Sequence, residues 1–135
     1  METLTVKTSS RTDLKEITGE VASAAAKTGV EEGICMVFIP HTTAGVTINE
    51  NADPAAREDL ASTLDRMVPW DGPYRHAEGN SAAHVKSSLV GHSAMVPVHE
   101  GRLVLGTWQG IYLCEFDGPR TRKVHVQVMS LARPT

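Results

Sequence analysis

Apolar positions along this chain fall into short runs whose period changes repeatedly. Leu4 and Val6 alternate with polar neighbours, predicting a short first strand with one buried face. Leu14, Ile17, Val21 and Ala24 then recur at helical spacing, predicting a helix with Thr12 or Asp13 as N-cap and Gly29 as its terminator. The continuous apolar run Ile34-Cys35-Met36-Val37-Phe38-Ile39 predicts a central strand that delivers His41 to its end. Val46 and Ile48 alternate with Thr47 and Asn49, which predicts another strand leading into Glu50-Asn51-Ala52.

Asp53-Pro54 is a helix start, because Asp caps free amides and proline at the first helical position sacrifices no hydrogen bond. Leu60, Leu64 and Met67 continue that helix's apolar face. Two prolines and two glycines between Pro69 and Gly79 predict an irregular loop, after which Asn80 or Ser81 caps a short helix through Leu89. From Ala94 the period changes again. Met95–Val98, Leu103–Leu105, Ile111–Cys114 and Val124–Val128 read as antiparallel strands, joined by turns at His99-Glu100-Gly101 and Asp117-Gly118-Pro119. Helices early and strands late argue for an α+β fold rather than a doubly wound parallel one, in a single domain over 1–135.

Composition narrows the partners. Thirteen basic against sixteen acidic residues, with no basic block, give no electrostatic footprint for nucleic acid, so the expected partner is a small molecule. Cys35 and Cys114 lie within apolar runs and read as reduced core thiols. The N-terminus lacks a signal-peptide pattern and no apolar run approaches membrane-spanning length, so the expectation is a soluble, cytoplasmic protein with no membrane partner. With only six aromatic residues, the two tryptophans are expected at demanding packing sites.

Candidate chemistry concentrates in His76-Ala77-Glu78-Gly79-Asn80-Ser81-Ala82-Ala83-His84, and His41 adds a third imidazole. Converged, His41, His76 and His84 could hold a divalent metal with a coordination position open, with Glu78 orienting one of them. The plainer reading makes His41 a strand-end residue and His76 a loop residue. His92, His99 and His125 sit near turns or on a polar strand face and receive no role. Gly79 and Asn80 before a helix, with Lys86 and Ser87 following, suit an anion at a helix N-terminus, although capping alone also explains them. Arg120 and Arg122 offer a phosphate clamp or a solvated basic turn. Glu50, set between Asn49 and Asn51, has a stronger functional claim than Asp53, which capping explains. Trp108 and Gln109 in a bend suit a ligand wall or a subunit seam, and Glu115 either faces inward, following an apolar strand, or falls on the wet face by simple alternation.

Three blocks together resemble the YjbQ-like family, often called secondary thiamine-phosphate synthases: Pro40-His41-Thr42-Thr43-Ala44-Gly45 through Asp53-Pro54, His76 through His84, and Leu105–Gly110 with Glu115–Arg120. The resemblance spans nearly the whole chain. It implies a compact subunit with a curved, mainly antiparallel sheet, assembled as a homotrimer with sites near subunit boundaries. It also implies a divalent metal, zinc or magnesium, on His41, His76 and His84. The implied reaction joins a hydroxymethylpyrimidine diphosphate to a thiazole phosphate with release of diphosphate. For that chemistry Lys86, Arg120 and the amides around Asn80 would stabilise the leaving group, Glu50 or Glu78 would move a proton or orient a histidine, and Trp108 would stack on a ring. Two alternatives stand beside it: metal-assisted hydrolysis of a small phosphorylated metabolite, and a noncatalytic metabolite-binding trimer.

Overall fold

A computed structural model describes residues 1–131. The elements in chain order are β1 (Glu2–Lys7), β2 (Asp13–Glu16), α1 (Thr18–Lys27), β3 (Gly33–Phe38), β4 (Ala44–Glu50), α2 (Pro54–Met67), α3 (Ser81–Val90), β5 (Ser93–His99), β6 (Arg102–Leu103), β7 (Gln109–Glu115) and β8 (Thr121–Ser130). The fold is α+β, and every strand pairing in it is antiparallel. The strands divide between a five-stranded sheet, β1-β8-β3-β5-β6, and a three-stranded sheet, β2-β7-β4. The apolar run of β3 is central, between β8 and β5.

Burial explains the arrangement. Cys35, Val37, Val96, Val98, Val124 and Val126 share the inner face of the large sheet. They pack against Ile17, Val21 and Ala24 of the α1 region and against Ala44, Val46, Ile111 and Leu113 of the small sheet. The opposite face of the small sheet, with Leu14, Tyr112 and Cys114, meets Phe116, Ala83 and the half-buried Leu60, Ala61 and Leu64. Strand β7 is therefore covered on both sides, and Gly110 through Phe116 are all buried. Each fully buried aliphatic side chain there contributes about 1.5–3 kcal/mol relative to exposure.

Several local expectations are corrected. Leu14 belongs to a strand, not to the first helix: Asp13–Glu16 pairs with Tyr112–Glu115, and α1 begins only at Thr18. Ile17 occupies the N-cap position, while the Asp13 carboxylate accepts from the Ser9 amide. Helix α2 starts as read, with Pro54 first and Asp53 Oδ1 accepting from Ala55 N at 2.9 Å. Its expected apolar residue Met67 is exposed. The Glu100-Gly101 turn joins β5 to β6, with φ of 51° and 77°. By contrast, Asp117-Gly118-Pro119 is no hairpin, since it carries the chain from the small sheet to the large one. The strand expected over Leu103–Leu105 ends at Leu103.

Both cysteines are enclosed, and burial pushes the Cys114 thiol up to about 12. Neither is expected to react with a disulfide reagent at pH 8 in the native state, whereas two thiols should titrate after denaturation. Rapid native modification of either would contradict that burial.

Candidate functional site

Three chain segments meet at one end of the sheets. The β3–β4 loop contributes Pro40, His41, Thr42 and Thr43. The loop before α3 and the first turn of that helix supply His76, Glu78, Asn80 and His84. The β7–β8 crossover brings Asp117 and Arg120, and the start of β8 brings Arg122. They enclose a concavity of about 430 Å³ that opens to solvent, within the size range of small-molecule sites.

Its floor is a buried ion pair. Arg122 donates from Nε to Glu115 Oε1 at 2.8 Å and from Nη2 to Glu115 Oε2 and to Thr43 Oγ1, the last at 2.7 Å. Glu115 is 0% exposed, and it also accepts from Thr8 Oγ1 at 2.8 Å and from the Asp117 amide at 3.0 Å. Burial alone would raise the Glu115 carboxyl. The hydrogen bonds from Arg122, the Asp117 amide and Thr8, with the charge of Arg122, outweigh it and hold the group below the ordinary carboxylate value.

Above this floor, His41 Nε2 accepts from the Lys123 amide at 2.9 Å. A neutral ring held that way carries its proton on Nδ1. Burial first, and then the positive charge of Arg122, lower the His41 pKa, with Glu115 opposing in part. His76 and His84 meet edge to face with ring centroids 5.0 Å apart. Asn80 occupies the N-cap position of α3, yet its side chain makes no capping bond. Its Nδ2 instead donates to Asp117 Oδ2 at 2.8 Å, the same oxygen that receives Arg120 Nη2 at 3.0 Å.

The three histidines, Glu78, Asn80 and Arg120 thus share one pocket. The other candidates stand elsewhere. Gly79, at φ 74°, turns the chain into α3 without lining the cavity. Lys86 is almost fully buried and ends on Asp65 of α2, 5.9 Å from the Phe116 ring. Ser87 Oγ donates to the Thr42 carbonyl, tying α3 to the loop that bears His41. Asn49, Glu50, Asn51 and Gln109 lie at the opposite end of β4, where Glu50 pairs with Gln109 and Asn51 Nδ2 donates to the Gln109 carbonyl. Trp108 is beside them and 63% exposed, so it fills no packing site in this chain, whereas Trp70 is half-buried beneath the Arg11 guanidinium.

Arg122 is the principal residue that sequence reasoning misjudged: it is buried, not part of a solvated basic turn. Strand parity held the signal, because Arg122 shares the inward phase of β8 with Val124 and Val126. Asp117, read only as a turn residue, lines the pocket, and of the two readings of Glu115 the inward one holds, since it is buried. The metal expectation meets a partial fit. Among the described residues, no three His, Cys, Asp or Glu side chains already form a metal-sized cage. The donors match a metal in type, and His76 and His84 are adjacent, but Nε2 of His41 is engaged elsewhere.

Gly118 sets the crossover beside this floor. A Cβ there would collide with the Ser10 carbonyl and fall 2.8 Å from both Glu115 Cγ and Thr8 Oγ1. Gly118→Ala is expected to cost roughly 1–3 kcal/mol through overpacking, measured by urea unfolding. Unchanged stability would mean the crossover yields freely.

Comparison with known proteins agrees with the architecture. The family model described as "UPF0047 protein YjbQ-like" matches residues 2–131. The chain is 52% identical to the UPF0047 protein YugU of Bacillus subtilis over 130 residues, covering 96% of this chain and 98% of that protein. A crystal structure of a YjbQ/UPF0047 protein from Clostridium acetobutylicum superposes with a TM-score of 0.94 at 50% identity, covering 96% of this chain and all of that one. A YbjQ-like protein of unknown function from Sulfolobus solfataricus gives 0.92 at 32% identity, with 96% and 95% covered. Fold, length and sequence agree across these matches, and the chain belongs to the UPF0047 YjbQ-like family.

Proposed function

We propose that the pocket binds the phosphate or diphosphate of a small organic substrate and performs a transfer of the thiamine-phosphate-synthase type, joining a hydroxymethylpyrimidine diphosphate to a thiazole phosphate. The observation that carries this reading is the convergence of Arg120, Arg122 and three imidazoles on one cavity of about 430 Å³. Arg120 is half-exposed and held by Asp117, so it can rotate onto a leaving diphosphate. Arg122 cannot, and it acts as fixed positive charge behind the pocket. In the orientation described, His41 offers its Nδ1–H as a donor.

The two guanidinium groups are already matched by Asp117 and Glu115, and Glu78 adds a further carboxylate. An anionic substrate therefore needs additional positive charge. Zinc suits imidazole donors better than magnesium, which takes oxygen ligands. His76 and His84 would hold it, joined by His41 once its ring leaves the Lys123 amide. When bound, the metal supplies the charge that neutralises the anion.

A second reading, hydrolysis of a phosphorylated metabolite, is favoured by the pocket's opening to solvent, which admits water. Ring stacking by Trp108 would require a second subunit, because that indole lies outside this chain's pocket. A homotrimer is accordingly part of the proposal. Phe38, Met95 and Met129, with the half-buried Ile34 and Met36, form an apolar outer face on the large sheet suited to burial between copies.

The deciding assay supplies both organic phosphates to zinc-loaded and chelator-treated protein and follows thiamine phosphate and diphosphate together. Coupled release supports the transferase, and phosphate or diphosphate without coupling supports the hydrolase. Ligand binding without turnover leaves a noncatalytic binding trimer. Light scattering tests assembly, and a monodisperse monomer at micromolar concentration removes the trimer.

A further inference from the structure

Asn80 is 7% exposed and lines the pocket, yet its Oδ1 has no partner. It is the one enclosed side-chain nitrogen or oxygen in that state among the described residues. Asn at an N-cap ordinarily spends this oxygen on an amide in the first helical turn. Here the side chain makes no capping bond and is turned instead so that Nδ2 reaches Asp117. A buried amide oxygen without a donor is destabilising, and proteins retain such groups chiefly where something else completes them.

The surrounding groups indicate what that completion requires. Asp117 Oδ2 receives both Asn80 and Arg120, and the Glu78 carboxylate also faces the cavity. A ligand consisting only of an anion would add negative charge beside these carboxylates and leave Asn80 Oδ1 without a donor. We infer that Asn80 is a specificity-determining residue, and that the site takes a phosphate ester which also bears an N–H donor, an amine or ammonium, on whose binding the Asn80 side chain brings its enclosed Oδ1 to the cavity surface. The inference rests on the proposed phosphate-binding role and adds the second half of the ligand.

The test compares phosphoethanolamine with ethyl phosphate, which have similar length and differ in the amine, by calorimetric titration of the full chain. The wild type is expected to prefer phosphoethanolamine by about 5–10-fold, as one added hydrogen bond would give. In Asn80→Ala the ratio should fall to about 1 by loss of that bond, with ethyl phosphate affinity nearly unchanged. Asn80→Ser repeats the comparison if the alanine variant fails to fold. Equal binding of both probes by the wild type overturns the inference while leaving the phosphate site standing. A preference that survives in both variants also overturns it, assigning discrimination to Glu78 or Asp117. Absence of binding by either probe at millimolar concentration removes the phosphate site and this inference together.

Discussion

Glu115→Ala is expected to lower stability by about 3–5 kcal/mol, the cost of leaving a buried cation without its counterion. For a chain of this length that corresponds to a fall in melting temperature of roughly 10–20 °C. The expectation rests on position. Arg122 is 5% exposed, and Glu115 is fully enclosed beside it. Glu115→Gln separates charge from shape: it retains an acceptor for Thr8 but leaves Arg122 uncompensated, so most of the loss should remain. Replacing both partners by Leu and Met should recover much of the stability, since apolar side chains of similar volume pack without a desolvation cost. Single-variant losses below 1 kcal/mol would show that water reaches the pair. Acid provides an independent reading. The Glu115 pKa is depressed on folding, so its contribution is in place above the ordinary carboxylate value and is lost as the pH falls through the lower, folded one. The Glu115→Gln variant should lack this part of the acid dependence.

His84→Ala is expected to do the reverse, losing function while preserving the fold. The imidazole is half-buried on the first turns of α3, and its ring meets His76, an exposed loop residue. Removing it should shift stability by less than about 1 kcal/mol. Under the proposed function, turnover should drop about 10²–10³-fold, the usual cost of losing one electrostatic stabiliser of the transition state, with zinc content falling in parallel. A folded His84→Ala protein with full zinc occupancy and normal turnover would remove the histidine pair from the site. Lys86→Met is the informative companion. The lysine is buried and its partner Asp65 is exposed, so the variant strands no charge in the core and should retain both fold and activity.

The parts of this fold legible from sequence are those governed by local pattern. The apolar run of β3 read as a central strand, and it did lead into His41 just past its end. Asp53-Pro54 began a helix because its cap is a contact two residues away. Leu14 misled because a strand residue can coincide with a helical spacing; pairing with β7, about a hundred positions distant, decided its state. The same distance obscured the site. Histidines are conspicuous in any sequence, but Glu115 sits in a strand buried on both faces, where alternation carries no information. Asn80 looked like a cap, and only its contact with Asp117, 37 residues later, shows the side chain engaged elsewhere.

The pocket floor joins Thr8 to Glu115, Arg122 to Thr43 and Lys123 to His41, across sequence separations of 107, 79 and 82 residues. Closures of that span are slow to form and are rewarded only once their distant partners arrive. During synthesis, a chain that has displayed all three histidines of the pocket still lacks β8 and the residues that seat them. Ligand binding should therefore begin only once β8 has left the ribosome and paired, so a bound ligand reports that this strand is in place.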